Sequence, residues 1–194
     1  MLTQVKEDRP EQGPAPSAGG RGDFRWHLLS LPHLFPYLHL LYDIIVEAIR
    51  KYIQKFAKLH VSRSNGIAPH KPILLLSIIR LIDQNEIREN KIYITPQLVA
   101  CFKEVWHSLV TTERFTANFS LPFFHLKTGK FWHLQTYPGA EIFVTSSGSI
   151  RSFAALKNAV AYACFDADLF DLLCNNMNRA FLQKVLVRMQ GWNY

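Results

Sequence analysis

Cysteine is scarce in this chain and unpatterned. Cys101, Cys164 and Cys174 form no CxxC pair and leave an odd count, which speaks against a disulfide framework or a zinc knuckle. Buried free thiols are expected at Cys101 and Cys164, in a reducing cytoplasm. Uninterrupted apolar runs are missing too. The best candidate for a membrane span, Trp26 to Tyr42, has seventeen residues without Lys, Arg, Asp or Glu. It holds His27, His33, His39, Pro32 and Pro36, which a spanning helix tolerates poorly, so no membrane partner is expected. It also lies too far from the N-terminus for an ordinary signal peptide. There is no G-x-S-x-G, no glycine-rich phosphate loop, no H-E-x-x-H and no nuclease carboxylate cluster. The densest acidic group, Asp166, Asp168 and Asp171, falls at an expected helix start, where capping and the helix dipole explain it. No catalytic residue, metal or cofactor is therefore assigned, and the chain is not expected to be an enzyme on its own.

What the chain does have is apolar content and positive charge. Nearly half of its 194 residues are apolar, and the formal charge is +7, so a folded domain with a polyanionic partner is one reading and a basic globular protein without one is the other. The charge is uneven. Residues 1–50 hold five Lys/Arg against six Asp/Glu, a net of −1, while residues 51–194 hold seventeen against nine, a net of +8. Residues 1–25, rich in Pro, Gly and charge, read as a disordered tail, and residues 26–42 as an apolar stretch without clean period. An upstream start codon translating normally untranslated DNA would produce such an extension. The domain is expected over 43–194.

Within it the periodicity predicts an α+β fold, mainly helical, with helices around a small antiparallel hairpin or three-stranded sheet. A helix from Asp43 carries Ile44, Ile45, Ala48, Tyr52, Ile53, Phe56 and Leu59 on one broad face. A second, apolar on nearly every side, opens near Pro69 or Pro72 and runs to about Ile82, as the buried central helix. Ile92 to Ile94 reads as a short strand. Thr95 caps a third helix, with Pro96 at its first position, that buries Leu98, Val99, Phe102, Val105, Trp106 and Leu109. Phe123 to Leu126 and Lys130 to Gln135 are expected as a hairpin around Thr128-Gly129, with Ile142 to Val144 as a third strand. Helices follow at about 152–164, 167–174 and 177–189.

The segment Lys51 to Lys71 is the most informative. Lys51, Lys55, Lys58, Arg63 and Lys71 occur there without an acidic residue, together with His60 and His70. It ends where the buried helix begins, and a helix N-terminus offers unpaired N–H groups to a phosphate. Ser62, Ser64 and Asn65 add hydrogen-bonding groups. The alternative is a solvated basic face. His125 and His133 would face each other across the expected hairpin, but no third metal ligand of suitable type is near in sequence.

The run Gly66-Ile67-Ala68-Pro69-His70-Lys71-Pro72-Ile73-Leu74-Leu75-Leu76 resembles the hallmark of a domain found upstream of HNH nuclease domains in bacterial restriction endonucleases. So do Leu121-Pro122-Phe123-Phe124-His125-Leu126 and Gly129-Lys130-Phe131-Trp132-His133-Leu134. The family is the DNA sulfur-binding domain of McrA-like type IV enzymes, and the resemblance covers about residues 47–190. It implies recognition of phosphorothioate-modified double-stranded DNA, in which sulfur replaces a non-bridging phosphate oxygen. Sulfur is larger, softer and less hydrated than oxygen, so its site should join an apolar cup to cationic neighbours. The resemblance assigns the cup to Leu121 and Pro122, the cationic side to His70 and Lys71, and a DNA-facing role to His125. Backbone contacts fall to Lys55, Lys58, Arg63, Ser64 and Asn65, and to Ser147 and Arg151 in a further loop. In the family the position of Leu121 is often aromatic and that of Lys71 often arginine. Lysine lacks arginine's planar bidentate fork. No HNH module follows before Tyr194, so a detached specificity domain or a truncated endonuclease is expected, with any nuclease acting in trans. The alternatives are a DNA-binding or regulatory module without sulfur preference, and a nuclease with an unrecognised site.

Overall fold

The apolar periodicity of the first helix decides how the domain closes. The structure, a computed structural model, describes residues 35–59, 68–140, 150 and 152–192. Helix α1 spans Phe35–Ala57, so it opens before the expected start at Asp43 and takes in the end of the stretch read as having no clean period. Its C-terminal half buries Tyr52 and Phe56, which project at the four-residue spacing that places side chains on one face. Helix α2, His70–Asp83, has all but Arg80, Asp83 and His70 buried. It is the central helix that its all-round apolarity predicts. Ser77, polar within it, returns its hydroxyl to the Ile73 carbonyl at 2.7 Å, so no buried donor is left over. Helix α3, Pro96–Leu109, starts as expected: Thr95 accepts from the Leu98 N–H at 3.1 Å, and proline occupies the first position. Val99 and Leu109, expected in the core, are only partly buried against it.

The expected hairpin is not formed. Ser120–His125 is a short helix, α4, followed by a 3-10 turn over Leu126–Gly129. The side chain of Asn118 accepts from the N–H groups of Ser120 and Leu121 at 3.0 and 3.3 Å, and Pro122 suits the first turn. Phe123 and Phe124 are both buried, which a half-buried alternating strand does not allow. Gly129 belongs to a close approach, since a Cβ there would lie 2.5 Å from the Phe131 ring. Lys130 leaves the turn in the left-handed region, at φ 54°.

Strand β1, Trp132–Thr136, pairs instead with β2, Val160–Phe165, in antiparallel register from Trp132 opposite Phe165 to Gln135 opposite Tyr162, with an irregularity before Thr136. The expected helix over 152–164 is therefore half right. Helix α5 covers Phe153–Ala159, capped by Ser152, and then gives way to β2. Val160, Ala163 and Phe165 enter the core, and pairing to β1 outweighs the weak helical preference of that stretch. The strand expected at Ile92 to Ile94 contracts to a single bridge between Ile92 and Ala163, on the other side of β2. Asn90 reinforces it, donating to the Phe165 carbonyl at 2.9 Å and accepting from the Phe165 N–H at 2.8 Å. Ile142 to Val144 lies outside the described residues. Helices α6, Ala167–Cys174, and α7, Asn176–Met189, fall where expected. Arg179 is buried and donates to Asp83 at 2.7 Å and to the Leu173 carbonyl at 2.8 Å, tying α7 to the end of α2. The fold is α+β and mainly helical, with a small two-stranded antiparallel sheet.

Candidate functional site

The start of α2 and both ends of α4 line an open cavity of about 540 Å³. His70 and Lys71 enter it from α2. Leu121 and Pro122 come from the first turn of α4, and His125 from its last residue. All five residues that the sequence singles out for ligand specificity thus line one cavity. Lys58, just beyond α1, stands exposed at its rim. Three lining residues were not anticipated: Ala68, Phe115 and Thr128. Thr128 reads in sequence as a turn residue, and only the meeting of the 3-10 turn with α2 gives its hydroxyl a task.

Lys71 is the unusual group. It is 8% exposed, and its Nζ donates to the Thr128 hydroxyl at 3.0 Å. That hydroxyl in turn donates to the His125 carbonyl at 2.9 Å. Among the described residues no carboxylate pairs with Lys71. Burial lowers its pKa from the ordinary lysine value, as expected where charge is desolvated without compensation. His125 is lowered as well, by burial first and then by the positive charges of Lys71 and Lys127.

His70 differs from its expected role. Its Nε2 lies 2.9 Å from the Thr116 carbonyl, which can only accept, so this nitrogen carries the proton. The ring packs against Trp106 at 4.7 Å and meets Phe115 edge-on at 5.9 Å. Burial lowers its pKa, against the raising effect of the Thr116 bond. Burial thus favours the neutral form of His70, held in one orientation as a wall of the cavity, beside the ammonium groups of Lys71 and Lys58.

Lys55 is engaged within the protein. Its Nζ donates to Asp166 at 3.1 Å and to the Lys130 carbonyl at 2.7 Å, and it is absent from the cavity lining. It joins a second cluster where α1 meets β1 and α6. Lys51 pairs with Asp168 at 2.7 Å, and His133 Nε2 meets Asp166 at 2.6 Å. The buried Tyr52 hydroxyl donates to Asp166 at 3.0 Å and also contacts Asp168. Burial pushes both carboxyl groups up, but their hydrogen bonds outweigh it and hold them below the usual range. Burial and the two carboxylates drive the Tyr52 phenol far above its usual value. Capping does not explain Asp166, whose side chain makes no cap bond, whereas Asp168 does sit in the first turn of α6. His125 and His133 belong to different elements rather than to facing arms of a hairpin. Among the described residues no three His, Cys, Asp or Glu side chains gather as a metal site, and no helix is long and apolar enough to cross a membrane. Arg63, Ser64, Asn65, Ser147 and Arg151 lie outside the described residues.

No protein-family model and no curated protein matches the chain.

Proposed function

We propose that this protein is a DNA-binding module that reads a phosphorothioate linkage in double-stranded DNA. It would serve as the specificity element of a modification-dependent restriction system whose cleavage is supplied by a separate nuclease. The observation that carries the reading is Lys71: a largely buried lysine whose ammonium has a hydroxyl partner and no carboxylate among the described residues, at the edge of a cavity walled by Leu121, Pro122 and Phe115. A cation desolvated in this way is stabilised by an incoming anion. Apolar walls disfavour a well-hydrated phosphate oxygen, which would lose its water without gaining hydrogen bonds there. A thiophosphate satisfies both demands, since it is anionic and its sulfur is poorly hydrated. Lys58 at the rim suits an adjacent phosphate and adds affinity without sequence preference. Burying a sulfur-sized surface contributes ~1 kcal/mol, roughly fivefold in affinity.

The test compares identical duplexes with and without one phosphorothioate, by fluorescence anisotropy over a series of salt concentrations. The modified duplex is expected to bind more tightly, and both should weaken as salt rises. Equal affinity for the two duplexes removes the sulfur reading and leaves a general DNA-binding module. Binding that does not respond to salt removes DNA altogether.

A further inference from the structure

The N-terminal part of α1 extends past the body of the domain. Every residue from Tyr37 to Ile44 is exposed. Six of these eight are large and apolar, each more than half exposed, with Tyr37 at 72% and Tyr42 at 66%. Leu38, Leu41, Ile45, Ala48 and Tyr52 recur at alternating spacings of three and four, so one apolar stripe runs along the helix. Its later members pack into the protein, with Tyr52 wholly buried, while Leu38 and Leu41 continue the stripe beyond the domain's edge. Tyr37, Leu40 and Ile44 widen the stripe on one flank and Tyr42 on the other, while His39 and Asp43 hold the opposite side. An apolar face this broad is ordinarily packed against a partner surface.

We infer that this overhang is the contact surface of a homodimer, in which two copies of the chain pair their α1 helices about a two-fold axis. The exposed area of the six side chains is roughly 700 Å² per chain, estimated from the size of buried aromatic and aliphatic side chains. That approaches the ~800 Å² per partner of a standard stable interface, and exceeds the few hundred Å² that monomers commonly leave bare. A second copy presents the same overhang, so one contact covers the liability on both chains, as an isologous interface does. The charged groups nearby are already satisfied along the helix. His39 lies 3.0 Å from Asp43, and Arg50 lies 2.9 Å from Glu47. Acidic residues beside the apolar turns also disfavour an anionic lipid surface, which selects flanking Lys and Arg.

Sedimentation velocity of the full chain, from about 1 to about 100 µM to bracket the affinities of interfaces this size, tests the inference. The expected species has twice the 22.4 kDa chain mass. Leu38→Glu/Leu41→Glu should be monomeric throughout, and Tyr37→Ser/Ile44→Ser should shift dimerisation to at least tenfold higher concentration. Both should keep the wild-type circular dichroism and unfold cooperatively, with a urea midpoint that no longer rises with protein concentration, because these side chains stand clear of the core. A monomeric wild type overturns the inference, as does a dimer that survives both pairs of substitutions. A wild-type monomer that dimerises only after removal of residues 1–34 assigns the face to that segment instead. Association seen only with lipid vesicles assigns it to a membrane. None of these outcomes depends on whether DNA binds.

Discussion

Replacing Lys71 with methionine separates what this side chain does for folding from what it does for binding. Methionine keeps an unbranched stem and removes the ammonium. In the folded protein the lysine is largely buried, and its ammonium donates to the Thr128 hydroxyl. Two terms oppose each other. Desolvating an ammonium costs on the order of several kcal/mol after relaxation. The charge-assisted hydrogen bond to Thr128 returns roughly 1.5–3 kcal/mol. The remainder is a penalty of about 1 kcal/mol that methionine relieves, while Thr128 keeps its bond to the His125 carbonyl. In a domain of this size that corresponds to a rise in Tm of ~2–4 °C. Binding should move the other way. Truncating one partner of a buried charge pair costs about 2–5 kcal/mol, at least ~30-fold in Kd. Thermal and urea unfolding, with anisotropy on a phosphorothioate duplex, measure both effects on one preparation. A Lys71→Met protein less stable than wild type, yet equal to it in duplex affinity, would refute the reasoning and make the lysine structural.

Stability should fall with acid in two stages. His70 and His125 have folded-state pKa values below their ordinary value of 6.5, so their contribution is present above 6.5 and is lost as pH falls towards the lowered values. Asp166 and Asp168, lowered from 3.8, add a second loss below that pH. A urea midpoint unchanged between pH 7.5 and pH 5 would contradict the first stage. Asp166→Asn should cost about 2 kcal/mol, since it weakens bonds from Tyr52, Lys55 and His133 to a largely shielded carboxylate, as read by urea denaturation. Lys51→Ala should leave duplex affinity within about twofold because Asp168 holds that lysine, whereas Lys58→Ala should lower the slope of log K against log salt by about one.

The helical framework was legible because its signals are redundant. The run from Ile73 to Ile79, apolar but for Ser77 and preceded by prolines, marks a buried helix, and Thr95-Pro96 states both a cap and a first turn. The clustering of His70, Lys71, Leu121, Pro122 and His125 was legible through the family-like motifs alone, since nothing local joins residue 71 to residue 121. The hairpin was misread because Thr128-Gly129 is a turn signal of either kind. The competing signal, Asn118 capping a helix that opens before Pro122, is equally short. Val160 to Phe165 follows an alanine-rich stretch with helical period, and only the partners Trp132 to Thr136 and Ile92 make it a strand. Lys51 and Lys55 looked like free cations because their carboxylates lie more than a hundred positions away.

The double engagement of β2 sets the smallest piece of this protein that can act. Every described residue around the cavity precedes position 129, so a fragment ending there would hold all of the described lining side chains. It would lack the strand that grips Trp132 to Thr136 on one side and Ile92 on the other, and with it the Asn90 clasp on Phe165. Nicking the chain between α4 and β2 would therefore be tolerated only while the two pieces stay associated. Deletion from Val160 onward would abolish the cavity without removing one of the described residues that line it.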